Sequence, residues 1–137
     1  MITYTQDLNV MQEKTSGDIL KSLTYMENRI LYFKNDVPIA YGEAEFETDG
    51  SVYIQYIKCL KERVGHGTEI ISHLKKQEGI TEIWGESIPD AVPFWHKMNV
   101  TFDKTEFTRF MDEDELEEGF LIPFSLKCGL SNIKERI

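Results

Sequence analysis

The chain has little of what would commit it to an extracellular, membrane or nucleic-acid setting. Cys59 and Cys128 are its two cysteines; they form no Cys-x-x-Cys pair and read as small buried residues, not as a bridge or metal ligands. The three histidines, His66, His73 and His96, keep no ligand spacing such as His-x-x-x-His, so no metal centre is expected. No apolar run approaches the roughly 18 residues that cross a bilayer, which argues against a transmembrane segment. Met1 to Asp7 show neither the basic region nor the apolar stretch of a signal peptide, so a cytoplasmic protein is expected. Basic residues are in the minority, 15 Lys and Arg against 24 Asp and Glu, for a formal net charge of −9. A nucleic-acid surface needs a basic patch to release counterions and is therefore not expected. The acidic excess suits a cationic substrate, and it equally suits plain solubility.

What remains reads as one globular unit. With 137 residues, 41% hydrophobic and 28% charged, the chain is long enough for one core and too short for two ordinary ones. Residues 1–137 are expected to form a single domain with a single site. Ile2 and Tyr4 alternate as in a short first strand, whereas Leu8, Val10 and Met11 keep no clean period. Thr15-Ser16-Gly17-Asp18 predicts a helix start, with Ile19, Leu20, Leu23 and Met26 on one face and an end near Asn28. From Arg29 the pattern turns strand-like: Ile30 to Phe33, Val37 to Phe46 and Val52 to Leu60 are separated by Asn35-Asp36 and Asp49-Gly50, an antiparallel meander. In the middle strand Ala40, Gly42, Ala44 and Phe46 share one face, and Tyr41, Glu43 and Glu45 share the other. The third strand is apolar on both faces apart from Gln55 and is expected to be central and buried.

Ile57 to Gln77 organises the rest. It runs from a strand end through Glu62-Arg63-Val64-Gly65-His66-Gly67 into an amphipathic helix with Ile70, Ile71 and Leu74 inward, stopping at Gly79. Glycines at alternate positions where a helix begins cost roughly 1 kcal/mol each against alanine in a helix interior. They serve either as a plain helix cap or as a backbone that a ligand approaches, with the unpaired N–H groups of the first turn aimed at an anion. Ile80 to Trp84 reads as the next strand. Strand, helix and strand in that order make a right-handed parallel βαβ unit, which puts the turn at the carboxyl end of its first strand, where open α/β sheets bind ligands. Pro89-Asp90 then opens a helix with Ala91, Phe94, Trp95 and Met98 on its apolar face. Val100, Phe102 and Phe120 to Leu126 supply the last strands. Residues 104–118 read as a short helix and an acidic loop, with six acids among the seven residues 112–118. That loop is expected in water, as a plain solvated segment, a cation-attracting rim or a contact for a basic partner. The tail from Gly129 to Ile137 is expected to be peripheral, and the apolar stretch Phe120 to Phe124 is a candidate homodimer contact.

This order of elements, with two motifs, resembles the GNAT superfamily of acyl-CoA-dependent N-acyltransferases over residues 29–103. The family pattern Arg/Gln-x-x-Gly-x-Gly/Ala is met by Glu62-Arg63-Val64-Gly65-His66-Gly67, with Glu62 in the Arg/Gln place. The family stretch Phe-Tyr-x-Lys-Leu-Gly-Phe is met by Phe94-Trp95-His96-Lys97-Met98-Asn99-Val100, with Trp95 in the tyrosine place. The resemblance implies a mixed α/β fold, an antiparallel N-terminal meander followed by the βαβ unit, with helices on both faces. It implies acetyl-CoA as co-substrate, its pyrophosphate on the N–H groups of Val64, Gly65, His66, Gly67 and Thr68, with Arg63 offsetting Glu62. Its pantetheine would pair with Ile57, Lys58 and Cys59, close to Trp95.

Direct transfer to an amine needs the amine neutral, although an alkylammonium has a pKa near 10.4, so a base or a water relay is required. Glu43 and Glu45, on the polar face of the middle strand, are the candidates, and they can also seat a cationic amine. Indole cannot protonate a leaving thiolate, and Tyr53, Tyr56 or Tyr41 are the candidates to stand in for the missing tyrosine. The expected function is acetyl transfer to a primary amine of a small or peptide-borne, cationic substrate. The alternative is a catalytically weak or inactive module that keeps the fold for CoA binding or protein interaction.

Overall fold

A computed structural model describes residues 1–128; the tail expected to be peripheral lies outside the described residues. The elements run β1 (Ile2–Thr5), α1 (Leu8–Lys14), α2 (Gly17–Thr24), β2 (Arg29–Lys34), β3 (Val37–Phe46), β4 (Ser51–Cys59), α3 (His66–Lys76), β5 (Glu82–Ser87), a 3-10 turn (Pro89–Ala91), α4 (Val92–Lys97), β6 (Thr101–Phe102), α5 (Lys104–Asp112) and β7 (Ile122–Lys127). One seven-stranded sheet holds every strand in the order β1-β2-β3-β4-β5-β7-β6. All neighbours are antiparallel except β4 and β5, the pair joined through α3. Among the described residues no helix is long and apolar enough to cross a membrane.

Helices cover both faces. Ile70, Ile71 and Leu74 of α3 pack with Ile30, Tyr32, Ala40, Ala44, Val52 and Ile54 on one face. On the other, α1 and α2 bring Met11 and Leu23 against Leu31, Phe33 and Tyr41. The alternation read along β3 is therefore real, and its second face is covered at Tyr41 and open from Glu43 onward.

Two local outcomes differ from expectation. Residues 8–14 form α1, started by the Asp7 carboxylate accepting the Asn9 N–H at 2.8 Å; only Met11 of this two-turn helix is buried, so it leaves no period to read. Helix α2 ends at Thr24, not near Asn28, because Tyr25 and Met26 donate to Ser22 and Leu23, tightening the last turn.

Strand β4 is central in the sheet as expected, but only its first half is buried. Between Glu43↔Tyr56 and Ala44↔Ile54 the register slips by one residue, so Gln55 is extra on β4: a β-bulge. Gln55 and Tyr56 are both exposed. Gly42 makes the bulge possible, since a Cβ there would collide with the carbonyl of Tyr56.

Strand β7 lies between β5 and β6, and Phe120, Ile122 and Phe124 are buried within the chain itself. Leu121 and Pro123 alternate with these residues and are exposed. The acidic loop is partly tied down: Arg109 of α5 meets Glu106 at 3.2 Å, Glu113 at 2.8 Å and Glu117 at 2.8 Å, and lies 5.0 Å over the Phe120 ring. Two of the six acids of 112–118 are thus paired internally.

Gly42→Ala is expected to lower stability by about 1–3 kcal/mol, the range for forcing a methyl into filled space. Urea unfolding should show a lower midpoint at unchanged slope. An unchanged midpoint would mean that the Tyr56 carbonyl does not lie over Gly42.

Candidate functional site

Strands β4 and β5 are paired only from Ser51↔Glu82 to Ile54↔Gly85. Beyond that point β4 stays with β3 as far as Cys59↔Ala40, and β5 stays with β7 as far as Ser87↔Ile122. Each strand is held on its outer side, so the two part. The gap is a cleft of about 140 Å³ with Ile54, Gln55, Tyr56 and Ile57 on one wall, Glu86, Ser87 and Ile88 on the other, and Ala91, Trp95 and Phe124 at its base. Trp95, buried and stacked on Phe124 at 4.1 Å, forms its apolar floor. Backbone N–H and C=O groups of Gln55 to Cys59 that point into the gap have no strand partner among the described residues. Such groups call for a ligand or water, and an extended ligand with amide groups would meet them as an added strand does.

At the end of β4 the cleft gives way to a second one of about 350 Å³, lined by Cys59, Lys61, Glu62, Arg63, Gly65, His66, Gly67, Thr68, Phe94 and Lys97. The second volume falls in the ~300–1,000 Å³ range of small-molecule sites, and the first is a narrower slot. Arg63 (φ 64°) and Gly65 (φ 84°) are left-handed, and this is what swings the chain from strand end to helix start. The conformation is free for glycine and strained for arginine. Gly65 caps α3 with no side-chain hydrogen bond, leaving first-turn N–H groups open toward the cleft. Gly67 lets Phe94 pack close, since a Cβ would lie 3.0 Å from that ring. Three cations, Lys61, Arg63 and Lys97, rim the turn of a protein whose net charge is −9. Glu62 faces the same cleft, one carboxylate among three positive groups.

The expected site residues divide in space. Arg63, Gly65, His66, Gly67, Thr68 and Cys59 line the turn cleft, Ile57 and Trp95 line the parting, and Lys58 and Val64 line neither, their side chains being exposed. Neither Glu43 nor Glu45 lines the parting. Glu43 is half-buried and accepts the Asn28 N–H at 3.2 Å; Glu45 is exposed, directly across from Tyr53. Tyr53 donates to Glu86 at 3.3 Å and stacks on Trp84 at 4.3 Å. Burial first, then the carboxylates of Glu86 and Glu45, push the Tyr53 hydroxyl above its ordinary pKa, keeping it a donor. Glu86 is the carboxylate at the parting, and sequence reasoning missed it by ending the strand at Trp84. The alternation of Ile83, Gly85 and Ser87 inward with Trp84 and Glu86 outward carries the strand two residues further and would have found it.

Burial raises the Cys59 thiol more than the Gly67 N–H beside it lowers it. Cys59 should therefore react with iodoacetamide more slowly than free cysteine at pH 7, accelerating as pH rises past about 8.5, while buried Cys128 stays silent until the chain unfolds. Peptide mapping by mass spectrometry reads both rates, and Cys59 outpacing free cysteine at pH 7 would contradict the assignment.

No family model matches the chain, and no curated protein matches it in sequence. Solved structures do match. Arabidopsis thaliana Naa50, in complex with a bisubstrate analogue, is similar at 19% identity and a TM-score of 0.50, over 92% of this chain and 98% of that one. A Bacillus subtilis acetyltransferase in complex with CoA is similar at 18% identity and 0.53, over 93% and 98%. The Campylobacter jejuni N-acetyltransferase PseH is similar at 14% identity and 0.52, over 93% and 99%. A shared path over nearly whole chains, with the seven-stranded sheet parted between β4 and β5, establishes that this chain has the fold of the GNAT N-acetyltransferases.

Proposed function

We propose that this protein is an acetyl-CoA-dependent N-acetyltransferase that passes the acetyl group directly to a primary amine. The observation that carries the reading is the continuity of the parting with the turn: an unpaired strand edge leads into an uncapped helix start rimmed by Lys61, Arg63 and Lys97. In this reading the pyrophosphate of CoA lies on the first-turn N–H groups around Gly65 to Thr68, where the helix dipole favours an anion by about 0.3–1 kcal/mol. The basic rim outweighs Glu62 there. The pantetheine amides pair with the main chain of Ile57 to Cys59, and the thioester reaches the parting above Trp95. That Naa50 is held with a bisubstrate analogue and the Bacillus subtilis protein with CoA in the same fold supports this placement.

The amine enters from the open sheet face. Glu86 takes one proton from the ammonium, with Tyr53 holding the carboxylate in place through its hydroxyl. The amine nitrogen forms its bond to the thioester carbonyl carbon, the carbon–sulfur bond breaks, and the second ammonium proton leaves with the thiolate or passes to water. Water then carries the proton from Glu86. A thiol of pKa near 8.5 leaves at neutral pH with little help, so Trp95 in place of an acid is tolerated. Glu43, occupied by the Asn28 N–H, acts as a support for the bulge and not as the base.

Calorimetry should detect acetyl-CoA binding to the wild type, weakened at least tenfold by Gly65→Glu, which puts a carboxylate on the turn; no binding by the wild type would overturn the reading. Glu86→Gln should keep acetyl-CoA affinity and lower kcat/KM for amines by about 10²–10⁴-fold, the usual contribution of a positioned base. Retention of full turnover would remove Glu86 from the mechanism.

A further inference from the structure

The open face beyond the parting has a composition that catalysis alone does not explain. Register places Glu45, Tyr53 and Trp84 side by side on adjacent strands, with Glu86 one pleat further along β5. The two rings stack at 4.3 Å with an interplanar angle of 19°, and Trp84 remains 38% exposed. An aromatic pair left open to water is flanked by a carboxylate on each side. Glu82, one pleat from Trp84 on the same face, is neutralised by Lys127 at 2.9 Å. Among the described residues neither Glu45 nor Glu86 has an ion-pair partner. The cations that share the face are otherwise placed: Arg29 donates to the carbonyls of Leu23 and Thr24, and Lys58 lies across from Tyr41, toward the far end of β4.

The surface therefore asks for positive charge at two points with apolar chain between them. Two strand spacings and one pleat repeat put the Glu45 and Glu86 Cα atoms roughly 12 Å apart. Glu86 reaches back to the Tyr53 hydroxyl at 3.3 Å, so the charges flank the rings. The faces of tyrosine and tryptophan attract cations and cover methylenes equally well. We propose that this shelf sets the acceptor class as an aliphatic diamine, its reacting amine at Glu86 in the mouth of the parting and its second ammonium at Glu45 across the Tyr53–Trp84 pair. The assignment rests on the transferase reading for its chemistry and on the shelf alone for its binding. Glu45 is then a specificity residue: it touches the distant end of the acceptor and not the reacting atoms. The product is the monoacetylated diamine with free CoA.

Two measurements separate the binding claim from the transfer claim. Thiol release from acetyl-CoA is compared for 1,5-diaminopentane and n-pentylamine, and the diamine should be favoured at least tenfold in kcat/KM, through KM. Glu45→Gln should bring that ratio close to one, and Glu45→Asp should keep part of it. Separately, without acetyl-CoA, 1,5-diaminopentane should change the wild-type tryptophan emission in a saturable way that n-pentylamine does not reproduce and that Trp84→Phe abolishes. If neither amine releases thiol while the diamine still perturbs Trp84, the transferase reading falls and the diamine site stands. If the two amines are equivalent in both assays, or Glu45→Gln leaves the ratio untouched, the diamine assignment is overturned.

Discussion

Past Ile54, strand β4 has no strand partner on its β5 side among the described residues. β3 holds it on one side through Cys59, while β7 holds β5 away through Ser87. The separation is built in by side chains on both walls. Trp95 and Phe124 stack where the two strands would otherwise close, and the bulge at Gln55 turns β4 outward, with Gly42 leaving room for the displaced Tyr56 carbonyl. Gly85 marks the last paired position, where a Cβ would come within 2.7 Å of the Ile54 carbonyl. A continuous sheet with this composition would satisfy every backbone group and leave no cleft. The parted one leaves a row of unpaired donors and acceptors next to an apolar floor, and all the chemistry considered above depends on that row.

Charge is distributed along the same axis. The chain is acidic as a whole, yet Lys61, Arg63 and Lys97 gather where the N–H groups of α3 open. On the open face beside the parting, Glu45 and Glu86 have no ion-pair partner among the described residues and flank an aromatic pair. In the proposed reading the first end takes a molecule with an anionic head and a reactive tail, the second takes a cationic acceptor, and the two meet in the part of the cleft floored by Trp95. The net charge read from composition could not separate a solvated surface from this arrangement, because a sum over residues contains no position.

Much of the architecture was legible because it rests on period and punctuation. The three-strand meander, the helix after the glycines and the parallel strand beyond it all follow from alternation, turn residues and the crossover rule. The turn at the start of α3 was legible for the same reason, since main-chain donors at a helix start are announced by glycine. The carboxylate beside the parting was not. Glu43 and Glu45 share a face with Tyr53, as alternation says, but which carboxylate borders a cleft depends on where β4 leaves β5, and no residue in either strand states that alone. Helix α1 escaped notice because one buried residue in two turns makes no pattern. The acidic run 112–118 reads as repulsion on paper, whereas Arg109, in the last turn of α5 and four residues before Glu113, gathers Glu113 and Glu117 against it.

Trp95 departs from the motif that the chain resembles, and under the proposed transferase reading it moves a burden instead of removing an activity. In the tyrosine's place it offers no proton, but its ring meets Phe124 at 4.1 Å and Phe94 edge-on at 4.9 Å. Phe94 in turn packs against Gly67 in the turn. One aromatic chain thus joins the floor of the parting to the anion end of the cleft, a rigid link that a smaller, hydrated phenol would make less completely. The chemical demand shifts to the step that costs more at neutral pH. A thiolate of pKa near 8.5 leaves readily, whereas an alkylammonium near 10.4 must first be deprotonated, and the described carboxylate that borders the cleft sits on the opposite wall, at Glu86. Under the proposed transferase reading, the site is organised around making the amine neutral, with packing taking the place of acid catalysis.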